Sequence, residues 1–562
     1  MSNADILEPL ELTAKLLELH AENDFKIRSY QNAVFSLDKT TVDLAALSVP
    51  ELAQLPGVGK SLAGKIDEIR RTGTLSELTE LLARTPEGVQ AMFRIKGIGP
   101  KKIRQIWQEL GITDPNELLL ACERGEVAQL KGFGEKIQDT IARNLRFMQA
   151  NTRKLRMDQA EAVAQPLFEE LQKHFDEVQI VGDLRRKNEV VETVQLLVAT
   201  PDPMAVQRVI NALPFVQQDD RASSPFVWRG HVDERVIPVE VLTATPAQFA
   251  GQLLLRSASA AHLAKAGPGG TLMQAALAGP YDSEAAVYQR VGLPYVVPEM
   301  REGGTEFAWA AQHQPNELVT WKALKGILHN HSTYSDGKNT LEDMAKGCRD
   351  LGFEYLGMAD HSQSATYAQG LDEDAVFKQQ AEIDVLNAQL KPFKIFKGIE
   401  SDILGDGSLD YPEHVLKTFD YVVASVHSNL TMNEDKAMQR LLRAIENPYT
   451  TILGHATGRL LLIREGYPID HQKIIDACAA NGVIIELNAD PHRLDMDWRW
   501  IPYALEKGVM IALNPDAHST GGYLNMHYGA AVARKGGLTR DMTFNALGRD
   551  EISTYFAKRI NR

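Results

Sequence analysis

The sequence predicts a multidomain α/β protein, and three observations support this prediction. The first 150 residues carry apolar positions at helical spacing, broken by glycine and proline. Residues 151–250 contain short runs rich in valine and isoleucine, which are typical of strands. From about residue 321 onward, seven apolar runs alternate with helical patterns, which favours a parallel sheet closed into a barrel.

Size, composition and charge limit the possible function classes. The 562 residues are enough for about three to four domains, and 44% hydrophobic with 24% charged residues is ordinary globular composition. The net charge of −14 excludes a generic basic coat for nucleic acid but allows a local basic patch. Three cysteines without metal-ligand spacing argue against a disulfide framework, so we expect a cytoplasmic protein. Neither a signal peptide nor a membrane span is predicted.

Three Gly-x-Gly turns, each followed by a helical pattern, repeat along the first 150 residues. Their spacing of 40 and 35 residues indicates one structural unit used three times. Such a turn lets a phosphate oxygen approach the free N–H groups of a helix N-terminus. Around the second turn, the stretch 94–107 is basic and lacks acidic residues; it carries Arg94, Lys96, Lys101, Lys102 and Arg104. The predicted phosphate contacts are Gly57, Gly59, Lys60, Gly97, Gly99, Lys101, Lys102, Gly132 and Gly134.

Histidines and carboxylates follow the ends of the apolar runs in the C-terminal part. In a β/α barrel these strand ends converge on one mouth. Nine side chains, including six of the 15 histidines, occupy such positions: His329, His331, Asp336, His361, Glu400, His427, His455, Asp516 and His518. Crowding them together is costly unless cations hold them, so the pattern predicts a metal centre rather than isolated polar side chains.

The donor set indicates the number of ions and their chemistry. Nine donors exceed the needs of one tetrahedral zinc and suit two or three divalent ions, with Zn, Mn or Fe matching the mixed histidine and carboxylate ligands. Clustered divalent ions are typical of hydrolysis at phosphorus. Arg459 and Arg493 also follow run ends, and a guanidinium suits a phosphate oxygen. We expect them to act in catalysis as phosphate clamps; ordinary surface or salt-bridged arginines are the alternative.

The motifs LHNHSTYSDG, ADHS, GIESDIL, SVHS, HATGR and DAHS, in this order, resemble the signature of the PHP (polymerase and histidinol phosphatase) domain. The resemblance implies a distorted seven-stranded β/α barrel with a trinuclear metal centre, and its nine ligand positions match the nine side chains above. The Gly-x-Gly repeats resemble helix-hairpin-helix motifs, which implies DNA binding without sequence readout.

The whole arrangement resembles the bacterial family X DNA polymerases along essentially the full length. A segment typical of an interdomain linker falls at about 309–320. The implied division is a helical DNA-binding domain with the first hairpin (1–90), a fingers-like hairpin region (91–150), a palm-like nucleotidyltransferase domain (151–250), a thumb-like segment (251–312) and the PHP phosphoesterase domain (321–562).

The palm motif of this chain, GDLRRKNEVVETVQLLVAT, departs from the family pattern. The motif positions that it keeps are Gly182, Arg185, Arg186 and Glu189. The two aspartate positions hold Thr193 and Gln195, and the third carboxylate position holds Glu240. Asp183 replaces the serine that would contact the triphosphate, and its charge repels a nucleotide. Because two neutral ligands cannot hold two Mg²⁺, we expect a degenerate palm without polymerase activity.

The leading hypothesis is a monomeric DNA-repair nuclease that hydrolyses phosphodiesters at the 3′ end of gapped or nicked DNA. The resemblance implies Mn²⁺ as the activating metal. Three alternatives stay open: a small-molecule phosphatase, such as one acting on histidinol phosphate, a DNA-binding scaffold with a structural metal centre, and an active polymerase. The choice between exonuclease, abasic-site endonuclease and 3′-phosphatase is also open.

Overall fold

The computed structural model describes residues 1, 3–38, 40, 42–95, 97–232 and 237–560. The chain divides into two compact units, Met1–Thr152 and Arg153–Arg562. Lys96, which belongs to the predicted basic stretch, lies outside the described residues. Among the described residues, no helix has both the length and the apolar character needed to cross a membrane.

The first unit is built from helices around one apolar core. The helices are α1 (Asn3–Leu19), α2 (Asp24–Asp38), α3 (Val49–Leu52), α4 (Lys60–Thr72), α5 (Ser76–Ala83), α6 (Glu87–Ala91), α7 (Pro100–Leu110), α8 (Pro115–Glu123) and α9 (Glu135–Asn151). The helices α4, α7 and α9 each begin at the residue after the second glycine of a Gly-x-Gly turn. The repeat seen in the sequence is therefore a repeat of turn and helix.

The second unit begins with an α+β region. Its elements are β1 (Leu155–Arg156), α10 (Met157–Gln172), β2 (Val178–Val181), α11 (Gly182–Arg185), β3 (Val190–Val191), β4 (Val194–Ala199), α12 (Pro203–Asn211), β5 (Val216–Gln218), β6 (Val227–Val232) and β7 (Ile237–Ala244). The main sheet has the order β2-β4-β7-β6-β5, and β4 runs parallel to β7. The sequence did not indicate β5 and β6, because polar residues interrupt their apolar positions.

A short, mostly helical region follows. It consists of α13 (Phe249–Arg256), α14 (Ala260–Leu263), β8 (Ala266–Gly267), β9 (Gly270–Thr271), α15 (Leu272–Ala278), α16 (Glu284–Val291) and α17 (Glu306–Ala310). The segment 309–320, expected as a linker, packs against the C-terminal part of the same unit. The Trp309 indole donates to the Gly537 carbonyl at 3.0 Å, and the Val319 amide donates to the Leu538 carbonyl at 2.9 Å.

The rest of the second unit alternates strands and helices. The elements are β10 (Gly326–Ile327), α18 (Leu341–Asp350), β11 (Tyr355–Gly357), α19 (Glu373–Gln389), β12 (Lys394–Phe396), β13 (Gly398–Asp402), α20 (Glu413–Leu416), β14 (Tyr421–Ser425), α21 (Glu434–Ile445), β15 (Ile452–Leu453), α22 (His471–Asn481), β16 (Ile484–Asn488), α23 (Ile501–Glu506), β17 (Ile511–Asn514), α24 (Met526–Lys535) and α25 (Arg549–Ile560).

These strands form a closed parallel barrel. The third apolar run supplies both β12, which pairs with β11, and β13, which pairs with β14; Lys397 separates the two. At the other edge, a parallel bridge between Asn330 and Ala517 joins the first and last strands, with the His331 amide donating to the Ala517 carbonyl at 2.8 Å. The predicted multidomain α/β class with a barrel is confirmed.

Candidate metal centre

The structure brings all nine predicted ligands together at one end of the barrel. They form four overlapping groups, and within each group the ligand atoms lie within 4.8 Å of one another. The groups are His331, Asp336, His361 and His518; His329, Glu400 and His455; His329, His331 and Asp516; and His361, Glu400 and His427. Apart from Glu400, which lies within β13, these residues follow strand ends, so the barrel itself positions them.

Glu400 lies at the centre of the cluster and is fully buried. Its Oε1 atom is 3.0 Å from His455 Nε2 and 3.2 Å from both His329 Nε2 and His427 Nε2, and its Oε2 atom is 2.9 Å from His361 Nδ1. Burial alone would raise the pKa of the Glu400 carboxyl. The surrounding histidines outweigh burial and hold this pKa well below its ordinary value, so the carboxylate stays ionised.

Two further carboxylates complete the cluster. Asp516 Oδ1 lies 3.0 Å from His331 Nε2 and 3.5 Å from His329 Nε2. Asp336 Oδ1 lies 3.4 Å from His518 Nε2 and 3.7 Å from His361 Nε2. Although burial opposes ionisation, the neighbouring histidines lower the pKa of Asp336 to about 2. Both ends of the cluster thus hold an ionised oxygen donor.

The histidines divide into two electrostatic kinds. Burial, together with the neighbouring His518 and His361, lowers the pKa of His331 to about 3, so its ring is a neutral donor. For His427 burial acts in the same direction, but the carboxylates of Glu400 and Asp402 outweigh it and raise its pKa to about 10. Divalent cations of the Zn, Mn and Fe type take neutral imidazoles and ionised carboxylates, so His331 is ready to bind, whereas His427 would release a proton on binding.

Several buried donor atoms in the cluster lack hydrogen-bond partners. Among the described residues, these atoms include His329 Nε2, His331 Nδ1, His361 Nδ1 and Glu400 Oε2, whose close neighbours in the cluster do not lie in hydrogen-bond geometry. A buried polar atom without a partner destabilises a fold by about 1–3 kcal/mol. Coordination of cations would satisfy these atoms, and therefore the residues present fit a multinuclear metal centre.

Two carboxylates that the sequence analysis missed support the ligands from behind. Glu486 Oε2 lies 2.7 Å from His329 Nδ1, and Asp402 Oδ1 is hydrogen-bonded to His427 Nδ1. Such contacts fix the ring orientation and raise the basicity of the ligating nitrogen. The signal for Glu486 was an acid inside the apolar run GVIIELN, since an acidic residue in a fully buried strand needs a polar partner.

The two predicted arginines occupy different places. Arg493 lies beside the cluster, with its Nε atom 3.4 Å from Asp516 Oδ2. Arg459 lies behind it: the Arg459 guanidinium donates to the Arg493 carbonyl from Nε at 2.9 Å and to Asp497 Oδ2 from Nη1 at 2.9 Å. In this arrangement Arg493 is the one that borders the ligands, and Arg459 supports its backbone.

Tyr367 is an exposed aromatic side chain at the edge of the cluster. It is 64% exposed, and its ring centroid lies 6.0 Å from that of His361 and 6.5 Å from that of His427. The sequence did not indicate this residue, because one tyrosine in the loop after a strand gives no pattern. It provides a flat surface beside the ligands.

The palm-like sheet holds a different arrangement at the positions of the expected carboxylates. Gln195 on β4 lies opposite Glu240 on β7, and its amide donates to Glu240 Oε2 at 2.6 Å. Arg229 Nε donates to Glu240 Oε1 at 2.6 Å. Asp183, at the former serine position, is paired with Arg186 and accepts from the Asn188 amide at 2.9 Å. Side chains of the protein itself therefore satisfy both carboxylates, while the nearby Thr193 is neutral.

The hairpin turns present exposed glycines. Gly57, Gly97, Gly132 and Gly134 have positive φ, which favours glycine. In contrast, Gly59 and Gly99 have φ of −87° and −99°, and an added Cβ at either would meet no described atom within 4 Å. Both are the N-cap residues of their helices, a position that favours glycine, and they leave open space in front of the first amides of α4 and α7. Lys60 and Lys101 beside them are exposed, and Lys102 is half-buried.

Models of three known domain families match parts of this chain. A model described as "Helix-hairpin-helix domain" matches residues 1–75, and one described as "SAM-like Helix-hairpin-helix tandem" matches residues 89–146. The "PHP domain" model matches residues 328–490, which contain seven of the nine candidate ligands; Asp516 and His518 follow that range. A protein of Thermoanaerobacter sp. (strain X514) named a probable phosphatase is 28% identical over 235 residues, covering 40% of this chain and 91% of that protein.

Fold and site thus define a PHP-class phosphoesterase carrying helix-hairpin-helix domains. A protein of Bacillus subtilis (strain 168) named "DNA polymerase/3′-5′ exonuclease PolX" is 32% identical over 572 residues, covering 99% of this chain and 100% of that protein. The chain belongs to the bacterial DNA polymerase X family. The prediction that it is an enzyme of the hydrolase class is confirmed.

Proposed function

We propose that this protein is a divalent-metal-dependent 3′-5′ exonuclease that processes DNA 3′ ends during repair, and that its polymerase activity is lost. The observation that carries the proposal is the cluster of nine donors at the barrel mouth, of which six are buried and three half-buried. The name of the Bacillus subtilis relative includes a 3′-5′ exonuclease, which supports the same chemistry. Two or three ions, with Mn²⁺ as the activating metal, match the four overlapping ligand groups.

When bound, such ions activate water and stabilise the charge that develops on phosphate oxygens. The protein's own contribution begins with Glu400, Asp516 and Asp336, which supply the negative charge of the site. Arg493 borders the same carboxylates and offers a guanidinium to a phosphate oxygen. Tyr367 offers a ring on which a terminal base can stack. A phosphate with an attached nucleobase is the substrate class that uses all three features.

The helix-hairpin-helix turns support DNA as the substrate. Gly59 and Gly99 leave open space in front of the amides at the start of α4 and α7, and exposed lysines flank them. Helix N-termini with open backbone bind phosphate oxygens without reading bases. Gapped, nicked and 3′-ended DNA all present this backbone.

The palm supports the loss of polymerisation. A polymerase needs carboxylates that are free to hold two Mg²⁺, yet Glu240 is occupied by Arg229 and Gln195. No second acid stands at position 193 or 195. We infer that this sheet serves as a scaffold.

Substitution within the cluster tests the proposal. His331→Ala or Asp516→Asn should abolish hydrolysis of a 3′ end and leave the dissociation constant for DNA unchanged within about twofold. His414→Ala is the matched control, because His414 is an exposed barrel histidine paired with Glu373 away from the cluster. Equal loss of DNA binding and hydrolysis in the cluster variants would contradict the separation of binding from chemistry.

A small-molecule phosphatase is the second candidate, since the barrel alone resembles a protein named a probable phosphatase. A competition assay distinguishes the two. If DNA is the substrate, gapped DNA inhibits cleavage of a small phosphoester at concentrations near its own KM. Absence of inhibition, with fast cleavage of the small ester, would favour the phosphatase.

A further inference from the structure

The palm motif residues that remain in this chain bind to other parts of the second unit. Arg185 donates to Glu284 at 2.7 Å and to Ser257 at 2.9 Å, and Arg186 donates to Glu302 at 3.1 Å. Glu189, only 8% exposed, turns toward the barrel. Thus none of the three serves as a free group for a nucleotide in the described structure, which leaves their retention to be explained.

Glu189 contacts the segment that follows β16. The Arg499 guanidinium donates to Glu189 Oε1 at 2.8 Å, and the Trp498 indole donates to Glu189 Oε2 at 3.1 Å. Both donors belong to a short 3₁₀ turn, Trp498–Trp500. The carboxylate therefore joins the palm-like region to a loop of the barrel.

From this point a chain of hydrogen bonds leads to the metal centre. Arg499 Nη1 donates to Asp497 at 2.9 Å, and Asp497 Oδ2 accepts from Arg459 Nη1 at 2.9 Å. Arg459 Nε then donates to the Arg493 carbonyl at 2.9 Å. Arg459 also donates through Nη2 to the carbonyl of Leu494. The last link is the Arg493 guanidinium, 3.4 Å from Asp516.

Alternating charges and burial stabilise this series of hydrogen bonds. Two carboxylates, Glu189 and Asp497, alternate with two guanidiniums, Arg499 and Arg459, so that the four charges balance. The side chains of Glu189, Asp497 and Arg459 are 11%, 21% and 15% exposed. Arg499 is 56% exposed, so water partly screens its pairs with Glu189 and Asp497. The pair of Asp497 with Arg459 is screened little, and loss of either member leaves a largely buried charge without compensation.

We propose that Glu189 is a positioning residue for the hydrolytic site. Glu189 anchors Arg499, which in turn holds Asp497. Asp497 orients Arg459, and Arg459 fixes the backbone of Arg493. This backbone places the Arg493 guanidinium beside Asp516. This inference rests on the proposed function of the barrel. It explains why a palm without a nucleotide site keeps the glutamate of its motif: the residue aligns the phosphate-facing arginine of another catalytic centre.

A second set of contacts holds the same parts together without Glu189. Lys535 Nζ donates to the Arg186 carbonyl at 2.7 Å and to Glu302 Oε1 at 2.6 Å. Trp309 and Val319 make the backbone contacts described above. Consequently Glu189→Gln should fold with the barrel still docked, and its effect should be confined to the chain of ion pairs.

The experiment compares Glu189→Gln with Glu192→Gln. Glu192 is the matched control, because it lies three residues further on, is 69% exposed and faces Lys154 at 3.5 Å. With Mn²⁺ and a 5′-labelled gapped primer, we expect kcat of Glu189→Gln to fall roughly tenfold, with KM and the dissociation constant for DNA unchanged. The dissociation constant for inorganic phosphate should rise by a similar factor. Glu192→Gln should match the wild type in all four quantities.

A double-mutant cycle separates positioning from general damage. In an Arg493→Ala background, Glu189→Gln should cause no further loss of kcat, because the residue through which it acts is gone. If Glu189→Gln does not fold, Arg499→Gln replaces it in the experiment. This variant removes the exposed partner of the same ion pair and should cause the same fall in kcat. An equal tenfold loss in the Arg493→Ala background, or a loss that follows the melting temperature, would overturn the inference.

Failure of the proposed function gives a different result. If the wild type cleaves DNA ends and Glu189→Gln equals it, the positioning role is wrong while the exonuclease stands. If the wild type cleaves no DNA end, the exonuclease is wrong, and phosphate affinity alone decides the positioning role. Equal phosphate affinity in wild type and Glu189→Gln would then contradict the positioning role.

Discussion

At the scale of single residues, the nine candidate ligands were predictable because each follows or ends an apolar run. The supporting groups were not. Asp402 and Glu486 act through the rear nitrogens of His427 and His329, and only three-dimensional contact shows which ring faces which carboxylate. The same holds for Arg459, whose sequence context suggested a phosphate contact and whose described partners are the Arg493 carbonyl and Asp497.

Tyr367 gives a prediction at this scale. If its ring stacks on the terminal base, Tyr367→Ala removes about 1–3 kcal/mol of binding, and KM for a 3′ end rises about 5-fold to 150-fold. Tyr367→Phe keeps the ring and should keep KM. On a primer whose 3′-terminal nucleotide lacks a base, wild type and Tyr367→Ala should have the same KM. A similar loss on both primers would contradict stacking.

At the scale of elements, the alternation of strand and helix predicted the barrel, but two details depended on packing. The run FKIFKGIE is continuous in sequence, yet it forms two strands because its halves pair with different neighbours. The strands β5 and β6 carry polar residues, because the edge of the palm-like sheet is only partly buried. Periodicity reports burial and not pairing, so neither detail could be predicted.

The hairpins give the prediction at this scale. Gly99→Ala should lower the melting temperature only slightly, by loss of a favoured N-cap residue, because φ is ordinary and the Cβ meets no described atom. Its methyl group would stand in the way of a phosphate, so the affinity for DNA should fall roughly tenfold.

Gly97→Ala is the contrasting variant, since φ of +90° makes any side chain strained and should cost about 1–2 kcal/mol of stability. Binding of DNA by Gly99→Ala at wild-type affinity would remove the second hairpin from the DNA interface. Fluorescence anisotropy and thermal melting measure both effects.

At the scale of the whole molecule, the chain combines a helix-hairpin-helix unit with a second unit in which a palm-like sheet and the barrel that carries the candidate metal centre share one apolar core. The sequence indicated the order of these parts and the departure of the palm from its family pattern. It could not show that Glu240 is satisfied by Arg229 and Gln195, or that Glu189 faces the barrel, because both depend on contacts between distant segments.

Metal removal gives a prediction for the second unit. Ions bound only by the folded barrel stabilise it by about 2.7 kcal/mol at a hundredfold excess over the dissociation constant, so chelation should lower its melting temperature by several degrees. Added Mn²⁺ should restore both melting temperature and hydrolysis. In His331→Ala, the decrease in melting temperature caused by the chelator should be smaller than in the wild type. A melting temperature indifferent to chelator would argue against resident ions.

The most direct test of the central claim uses a 5′-labelled primer in a one-nucleotide gap with Mn²⁺, run with and without dNTPs, beside His331→Ala. The account predicts a ladder of shortened products in both lanes of the wild type and an intact primer in the variant. Extension that requires dNTPs would show that the palm still works despite Thr193 and Gln195. An unchanged primer with the wild type would contradict the assignment of exonuclease chemistry to the barrel.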